Sequence, residues 1–225
     1  MRILLLGHGR MGQLVESLAP SYDGTIAGVI DEHSNDGAIA EGTFGDVDVA
    51  IDFTLADAVP RNLPQLAARR INVVIGTTGW QAHEAKMRAI AQDAGIGVLA
   101  AANFSLGVNI FQLAIEEATR QFAKHPEFGA WIHESHHVMK KDAPSGTALA
   151  IKGGMERAGY PRPIDMSSTR VGSVPGTHTV GFDGPSETIE FTHTVRDRAV
   201  FARGALVAAK WLVGKRGWFS FKDML

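Results

Sequence analysis

An α/β fold with a parallel sheet, followed by a second part of mixed α+β character, is what this sequence predicts. Three observations predict it. Short apolar runs alternate with helical patterns up to about residue 103. The turn Gly7-x-Gly9-x-x-Gly12 joins the first run to the first helical pattern. After residue 103 the rhythm changes to a long helix and then Gly- and Thr-rich, strand-like segments.

The elements follow in order. Ile3 to Leu6 are all apolar and end at Gly7, which suits a strand buried on both faces. A helix is expected over 10–19, stopped near Pro20. Strands are expected over 25–30, 47–53, 73–75 and 97–101. Helical patterns fill 56–70 and 81–94, with Pro60 and Pro64 interrupting the first. Beyond the boundary come a helix over 108–122, a strand over 128–133 and a helix over 145–158. A Gly- and Thr-rich stretch at 171–183 and a strand-like run at 188–195 read as antiparallel or mixed pairing. An apolar helix over 199–213 follows. There is no internal repeat and no low-complexity linker.

Composition narrows the function. The 225 residues suffice for one large domain or two modest ones. Hydrophobic content is 45%, charged content 20% and net charge −2. Like charges do not cluster, so no nucleic-acid groove or acidic-membrane patch is expected. With no cysteine, disulfides, thiolate nucleophiles and thiolate metal sites are excluded. No stretch approaches the roughly 20 apolar residues of a membrane span. The apolar run after Met1 is shorter than a secretory signal requires, so none is expected. A soluble cytoplasmic protein is the expectation.

Gly7, His8, Gly9, Arg10, Met11 and Gly12 stand between a strand and a helix, where G-x-G-x-x-G has a mechanism. Its glycines permit a tight turn and close approach of backbone to a pyrophosphate on the helix N-terminus. Asp31, at the end of the second strand, is the expected partner of an adenosine ribose diol. Glu32 follows it, so a 2′-phosphate would face two carboxylates. NADH is therefore expected to be favoured over NADPH. The loops Gly76-Thr77-Thr78-Gly79 and Ala101-Ala102-Asn103-Phe104 each follow a strand and are expected at the nicotinamide side.

Glu134-Ser-His-His-Val-Met-Lys-Lys-Asp-Ala-Pro-Ser-Gly-Thr-Ala148 is the densest chemistry in the chain. Histidine exchanges protons near neutral pH. Lysine adds a cation that can donate a proton or hold an anion. Gly146 and Thr147 open an expected helix, where free N–H groups bind carboxylates. Lys141 reads as a solvated charge, Asp142 as a turn or cap, and Ser145 as an N-cap or ligand. Adjacent histidines on a strand point oppositely, and no metal site is expected.

The chain resembles, nearly end to end, the 4-hydroxy-tetrahydrodipicolinate reductase (dihydrodipicolinate reductase) family. The Glu-x-His-His-x-x-Lys-x-Asp-Ala-Pro-Ser-Gly-Thr-Ala pattern carries the resemblance. Gly76-Thr-Thr-Gly79, Ala101-Ala-Asn-Phe-Ser105, Arg170-x-Gly-x-x-x-Gly-x-His178 and His193 with Arg198-x-x-Phe-Ala-x-Gly-Ala205 support it. Most members carry G-x-x-G-x-x-G in the first loop, and here the first spacing is shorter. The segment at 33–46 is also compressed.

The resemblance implies a Rossmann-like dinucleotide-binding domain at 1–103 and 205–225. It implies an α+β substrate and oligomerisation domain at 104–204, with a mixed sheet and a homotetramer built through it. The implied reaction is reduction of a small cyclic imine dicarboxylate by a nicotinamide hydride, on the way to diaminopimelate and lysine. His136 matches the proton donor/acceptor, Lys140 the second proton donor and His137 a substrate contact. Arg170, His178 and Arg198 read as supports. The rivals are another two-domain nicotinamide dehydrogenase acting on an amino acid or semialdehyde, and a catalytically silent NADH-binding sensor. Neither has reason to keep His136 and Lys140 within the whole signature.

Overall fold

The computed structural model describes residues 1–31, 38–42 and 44–225. Glu32, on which half of the cofactor-preference argument rests, lies outside the described residues, and so does part of the compressed segment at 33–46.

Six parallel strands form the first sheet: β1 (Arg2–Leu6), β2 (Thr25–Ile30), β3 (Val49–Asp52), β4 (Asn72–Ile75), β5 (Gly97–Ala100) and β10 (Gly217–Phe219). Their order is β10-β5-β4-β3-β1-β2. Alternation along β1 explains its unbroken apolar run. Leu4 and Leu6 join a core with α3 (Val59–Ala68) and α4 (Glu84–Ala94). Ile3 and Leu5 join another with α1 (Arg10–Leu18) and α7 (Ala199–Leu212). A short α2 (Ala38–Glu41) follows β2. The chain runs from β1 outward to β2, then crosses to β3 on the other side of β1. That reversal is the topological switch point beside which doubly wound sheets bind ligands.

The second sheet is mixed. It contains β6 (Gly129–His136), β7 (Ile164–Arg170), β8 (Thr177–Asp183) and β9 (Thr188–Thr194), in the order β7-β6-β8-β9. β6 pairs parallel with β7, while β8 pairs antiparallel with both β6 and β9. One face packs on α5 (Leu106–Phe122) and α6 (Gly146–Arg157) through Ile115, Ile132, Ile151, Met155 and Phe182. The chain divides into two compact units, Met1–Ser105 with Ala199–Leu225, and Leu106–Arg198. Among the described residues no helix is long and apolar enough to cross a membrane.

Several boundaries differ from the sequence reading for physical reasons. α3 starts at Val59 rather than 56, with Pro60 in its first turn, where a missing N–H costs nothing. Pro64 lies inside that helix, which still continues to Ala68 because Leu63 and Leu66 are buried in the core. β6 extends three residues past the expected end and so carries His136 itself. β7 was not anticipated, since Ile164-Asp-Met-Ser-Ser-Thr-Arg is mostly polar and forms an edge. β10 has only three residues, too few for a periodic signal.

Candidate active site

The glycine turn is shaped by close approaches. Gly7 has φ +87°, and a Cβ there would sit 2.6 Å from the Phe53 carbonyl oxygen. A Cβ on Gly12 would sit 2.1 Å from the Gly7 carbonyl oxygen, so only glycine lets α1 start beneath its own loop. Gly9 differs. It is the N-cap of α1, and a Cβ on it would meet nothing within 4 Å. Packing within the protein does not demand glycine there, whereas the approach of a phosphate does. Among the described residues no side chain caps α1, which leaves its N-terminal N–H groups as an anion site needs them. Gly7, Gly9, Asp31 and Thr54 line a cleft of about 520 Å³. These features fit a dinucleotide.

The other predicted cofactor residues are placed as follows. His8 Nε2 meets Glu16 Oε2 at 2.7 Å. Gly9, Arg10, Met11, Gly76, Thr77 and Thr78 border a second cleft beside Thr54. Thr77 turns its hydroxyl inward to Asp52 Oδ1 at 3.0 Å. Ala101 and Ala102 border a cleft with Trp80 and Trp218. Asn103 Oδ1 accepts from Ser105 N–H at 2.8 Å. The Phe104 ring is core, edge-on to Phe53 and Phe221 at centroid distances of 6.1 and 5.7 Å.

Sequence reasoning missed Asp52. Its buried carboxyl accepts from Thr54 N–H at 2.9 Å, Thr54 Oγ1 at 2.6 Å, Asn62 Nδ2 at 3.3 Å and Thr77 Oγ1. Burial pushes its pKa up against these hydrogen bonds. One side chain thereby ties the loops after β3 and β4, at the carboxyl end of the sheet. A lone acid inside the apolar run Val49–Phe53 was the available signal.

In the other unit, strand alternation puts Glu134 and His136 on the helix-covered face of β6, at 0% and 8% exposure. His136 Nδ1 is hydrogen-bonded to Glu134 Oε2. Arg170 grips both Glu134 oxygens, Nη1 to Oε2 at 3.0 Å and Nη2 to Oε1 at 2.8 Å. Ser145 N–H donates to Oε1 at 3.3 Å. Burial alone would raise Glu134, but the bonds from Arg170, Ser168 and His136 prevail and bring it to about 2. Burial lowers His136, with Glu134 opposing. A Cβ on Gly176 would stand 3.0 Å from His136 Nε2, so that glycine keeps the outer nitrogen uncovered.

After β6 the chain turns, with Lys140 N–H bonded to the His137 carbonyl at 3.1 Å, and the Lys140 charge helps lower the His136 pKa. Lys140 Nζ donates to Asp142 Oδ1 at 2.8 Å. Asp142, read from sequence as a turn or cap, is thus the ion partner of Lys140. Its pKa is lowered first by Lys140 and in smaller part by the Gly146 N–H. Ser145 is the N-cap of α6, accepting from Ala148 N–H at 3.2 Å. Gly146 and Thr147 follow as the first helical residues. His137 Nε2 faces Arg198 Nη2 at 3.0 Å, and because guanidinium only donates, this nitrogen accepts.

His178 backs the site. Its Nε2 lies 3.0 Å from Ser145 Oγ, and its ring centroid is 5.2 Å from that of His136. Burial first, then the His136 charge, hold it down at about 4. Between about 4 and the ordinary 6.5 the unfolded chain therefore binds more protons than the folded one, so stability falls as pH drops through that window. The loss at this position is on the order of 1–3 kcal/mol. Melting curves of wild type and His178→Gln from pH 7 to 4 check this: the variant should lose less over the window, and identical slopes would refute it.

Glu134, His136 and His178 offer ligand atoms within 4.8 Å of one another. Arg170 sits on both Glu134 oxygens, so a metal ion there would face a guanidinium.

The dihydrodipicolinate reductase N-terminus family model matches residues 1–104, and the C-terminus model matches 107–225. A 4-hydroxy-tetrahydrodipicolinate reductase of Christiangramia forsetii is 36% identical, over 100% of this chain and 98% of that protein. One from Methanoregula boonei is 37% identical, over 96% of this chain and 94% of that protein. Among solved structures, a dipicolinate-bound dihydrodipicolinate reductase from Paenisporosarcina sp. TG-14 superposes with a TM-score of 0.81. That pair shares 18% identity, and the match covers 100% of this chain and 99% of that one.

Proposed function

The chain belongs to the dihydrodipicolinate reductase family, and from that premise we propose how its residues divide the work. It reduces 4-hydroxy-tetrahydrodipicolinate to tetrahydrodipicolinate with a pyridine nucleotide, in diaminopimelate and lysine biosynthesis. The bound cofactor supplies a hydride. The protein must hold a dianionic ring, hold the cofactor against it, and deliver one proton. The 4-hydroxyl of the substrate leaves as water, which puts a C=C in conjugation with the ring C=N. Hydride addition to that conjugated carbon then leaves an enamine, which takes up the proton.

His136 carries that proton at Nε2, with Lys140 as the second donor. The observation that carries this reading is the buried Glu134–His136 bond, which leaves Nε2 as the ring's outward nitrogen beside Gly176. Gly146 and Thr147 grip one substrate carboxylate at the start of α6, and His137 and Lys140 engage the rest of the dianion. An internal carboxylate supports this. Asp142 already sits on Lys140 and the Gly146 N–H, the donors a substrate carboxylate would use. Such donors also stabilise charge that builds up in the transition state.

On the cofactor side, the Gly7–Gly12 turn holds the pyrophosphate and Asp31 the ribose diol. Residues 76–78 and 101–103 flank the nicotinamide, while the Phe104 ring supports the loop from the core. NADH is preferred, because the Asp31 carboxylate repels a 2′-phosphate. The ratio of kcat/KM for NADH over NADPH should exceed 1 and shrink in Asp31→Ser; a clear NADPH preference would refute this.

The dinucleotide-binding role falls to the unit Met1–Ser105 with Ala199–Leu225, and the substrate-binding role to Leu106–Arg198. The face of the mixed sheet away from α5 and α6 carries hydroxyl pairs, Thr177 with Thr194 at 3.2 Å and Thr179 with Thr192 at 3.0 Å. Trp131 and His133 lie on the same face of β6. A homotetramer assembled through this face is the oligomer we propose, and sedimentation of the purified protein tests it. The absence of cysteine supports a cytoplasmic location.

Dipicolinate, a planar dicarboxylate, tests the substrate grip. It should compete with substrate in the wild type and bind at least about tenfold more weakly to Lys140→Ala. Equal binding to both would refute the grip.

A further inference from the structure

We propose that Glu134 is the positioning residue of this active site, fixing His136 in the tautomer that keeps Nδ1 protonated and leaves Nε2 for the proton in transit. The inference rests on the assignment of His136 as proton carrier and deepens it.

Three observations lead to it. Positions 134 and 136 are two apart on β6, so their side chains share one face whatever the rest of the site does. A carboxylate only accepts, so its bond to Nδ1 places the hydrogen on that nitrogen. The carboxylate itself cannot swing away, because Arg170 holds both oxygens and Ser145 N–H holds one. The same arginine reaches on to the carbonyls of Lys140 (Nε, 3.3 Å) and Asp142. One buried carboxylate thus braces the histidine and, through Arg170, the loop that carries the lysine.

The charged and titratable groups facing His136 come from four elements. They are Glu134 on β6, Lys140 on the following turn, Arg170 on β7 and His178 on β8. Glu134 is the one among them that favours the protonated ring. Neutralising it should therefore move the titration of His136 downward as well as loosen its orientation.

The test compares Glu134→Gln with wild type and His136→Gln in the full-length protein. We expect kcat of Glu134→Gln to fall by about 10–100-fold, with the NADH dissociation constant within about twofold. The apparent pKa governing kcat should shift to lower pH. Turnover near the wild-type level overturns the inference, and so does lost turnover with an unmoved pH profile, since packing alone would do that. If His136→Gln keeps its turnover, the proton-carrier reading fails instead. Ring ¹H–¹⁵N correlation spectra of the wild type decide the tautomer without any variant, which matters if Glu134→Gln does not fold. At a pH above the ring's titration, a protonated Nδ1 and bare Nε2 are expected for His136. The opposite tautomer overturns the proposal.

Discussion

His136→Gln should lower kcat by about 10²–10⁴-fold at saturating cofactor, the range a positioned general acid contributes. Lys140→Ala should fall in the same direction. Neither change touches the glycine turn, so NADH affinity should stay within about twofold of wild type. The magnitude follows from what each residue has been prepared for. His136 is buried, with Nδ1 bonded to Glu134 and a glycine beside Nε2, which is a costly way to keep a histidine that only fills space. Lys140 is held near it by a turn and balanced by Asp142, so its ammonium stays close without neutralising the site permanently. Stopped turnover with intact cofactor binding is the expected pattern, and near-normal turnover in either variant would remove that residue from the proton path.

Gly9→Ala should separate cofactor binding from folding. Among the described residues a Cβ there meets no atom within 4 Å, and φ is −72°, which alanine adopts freely. The melting temperature should therefore hardly change. The methyl group would stand where a phosphate must approach the backbone, so affinity for the dinucleotide should drop by about 10–100-fold, the cost of 1–3 kcal/mol of overpacking. Gly12→Ala provides the contrast. Its Cβ would meet the Gly7 carbonyl oxygen at 2.1 Å, and stability and binding should fall together. Calorimetric titration with NADH beside a melting curve checks both. A Gly9→Ala protein that binds NADH as tightly as wild type would mean that the pyrophosphate does not sit on this turn.

These two sets of residues were legible in the sequence for different reasons. The glycine turn announces itself because spacing and context carry a mechanism: strand, turn, helix, then an acid at the next strand end. The parallel sheet was legible from apolar runs such as Ile3–Leu6, whose burial on both faces erases alternation. The His-His and Lys pattern was legible because so many proton-active groups seldom gather by chance.

What stayed hidden depends on contacts far apart in the chain. The role of Glu134 is not legible, because its partner Arg170 lies 36 residues away on a strand too polar to be recognised. Asp52 looked like the end of an apolar run, and its role needs Thr54, Asn62 and Thr77 brought together by the sheet. Asp142 was hidden by the opposite problem. It is close to Lys140 in sequence, yet an aspartate just before Ala-Pro-Ser-Gly reads as a turn or cap until its side chain is placed. Phe104 shows a limit of motif reading, since a position within a ligand-facing loop can still turn its ring into the core.

The central claim is that this chain joins a nicotinamide hydride to a proton delivered from the Glu134–Lys140 segment. Oxidation of NADH, followed optically on adding enzymatically generated 4-hydroxy-tetrahydrodipicolinate to the wild-type protein, tests it most directly. One NADH should be consumed per substrate molecule, with turnover about 10²–10⁴-fold slower in His136→Gln. A wild-type protein that binds NADH but does not oxidise it when given this substrate would contradict the account.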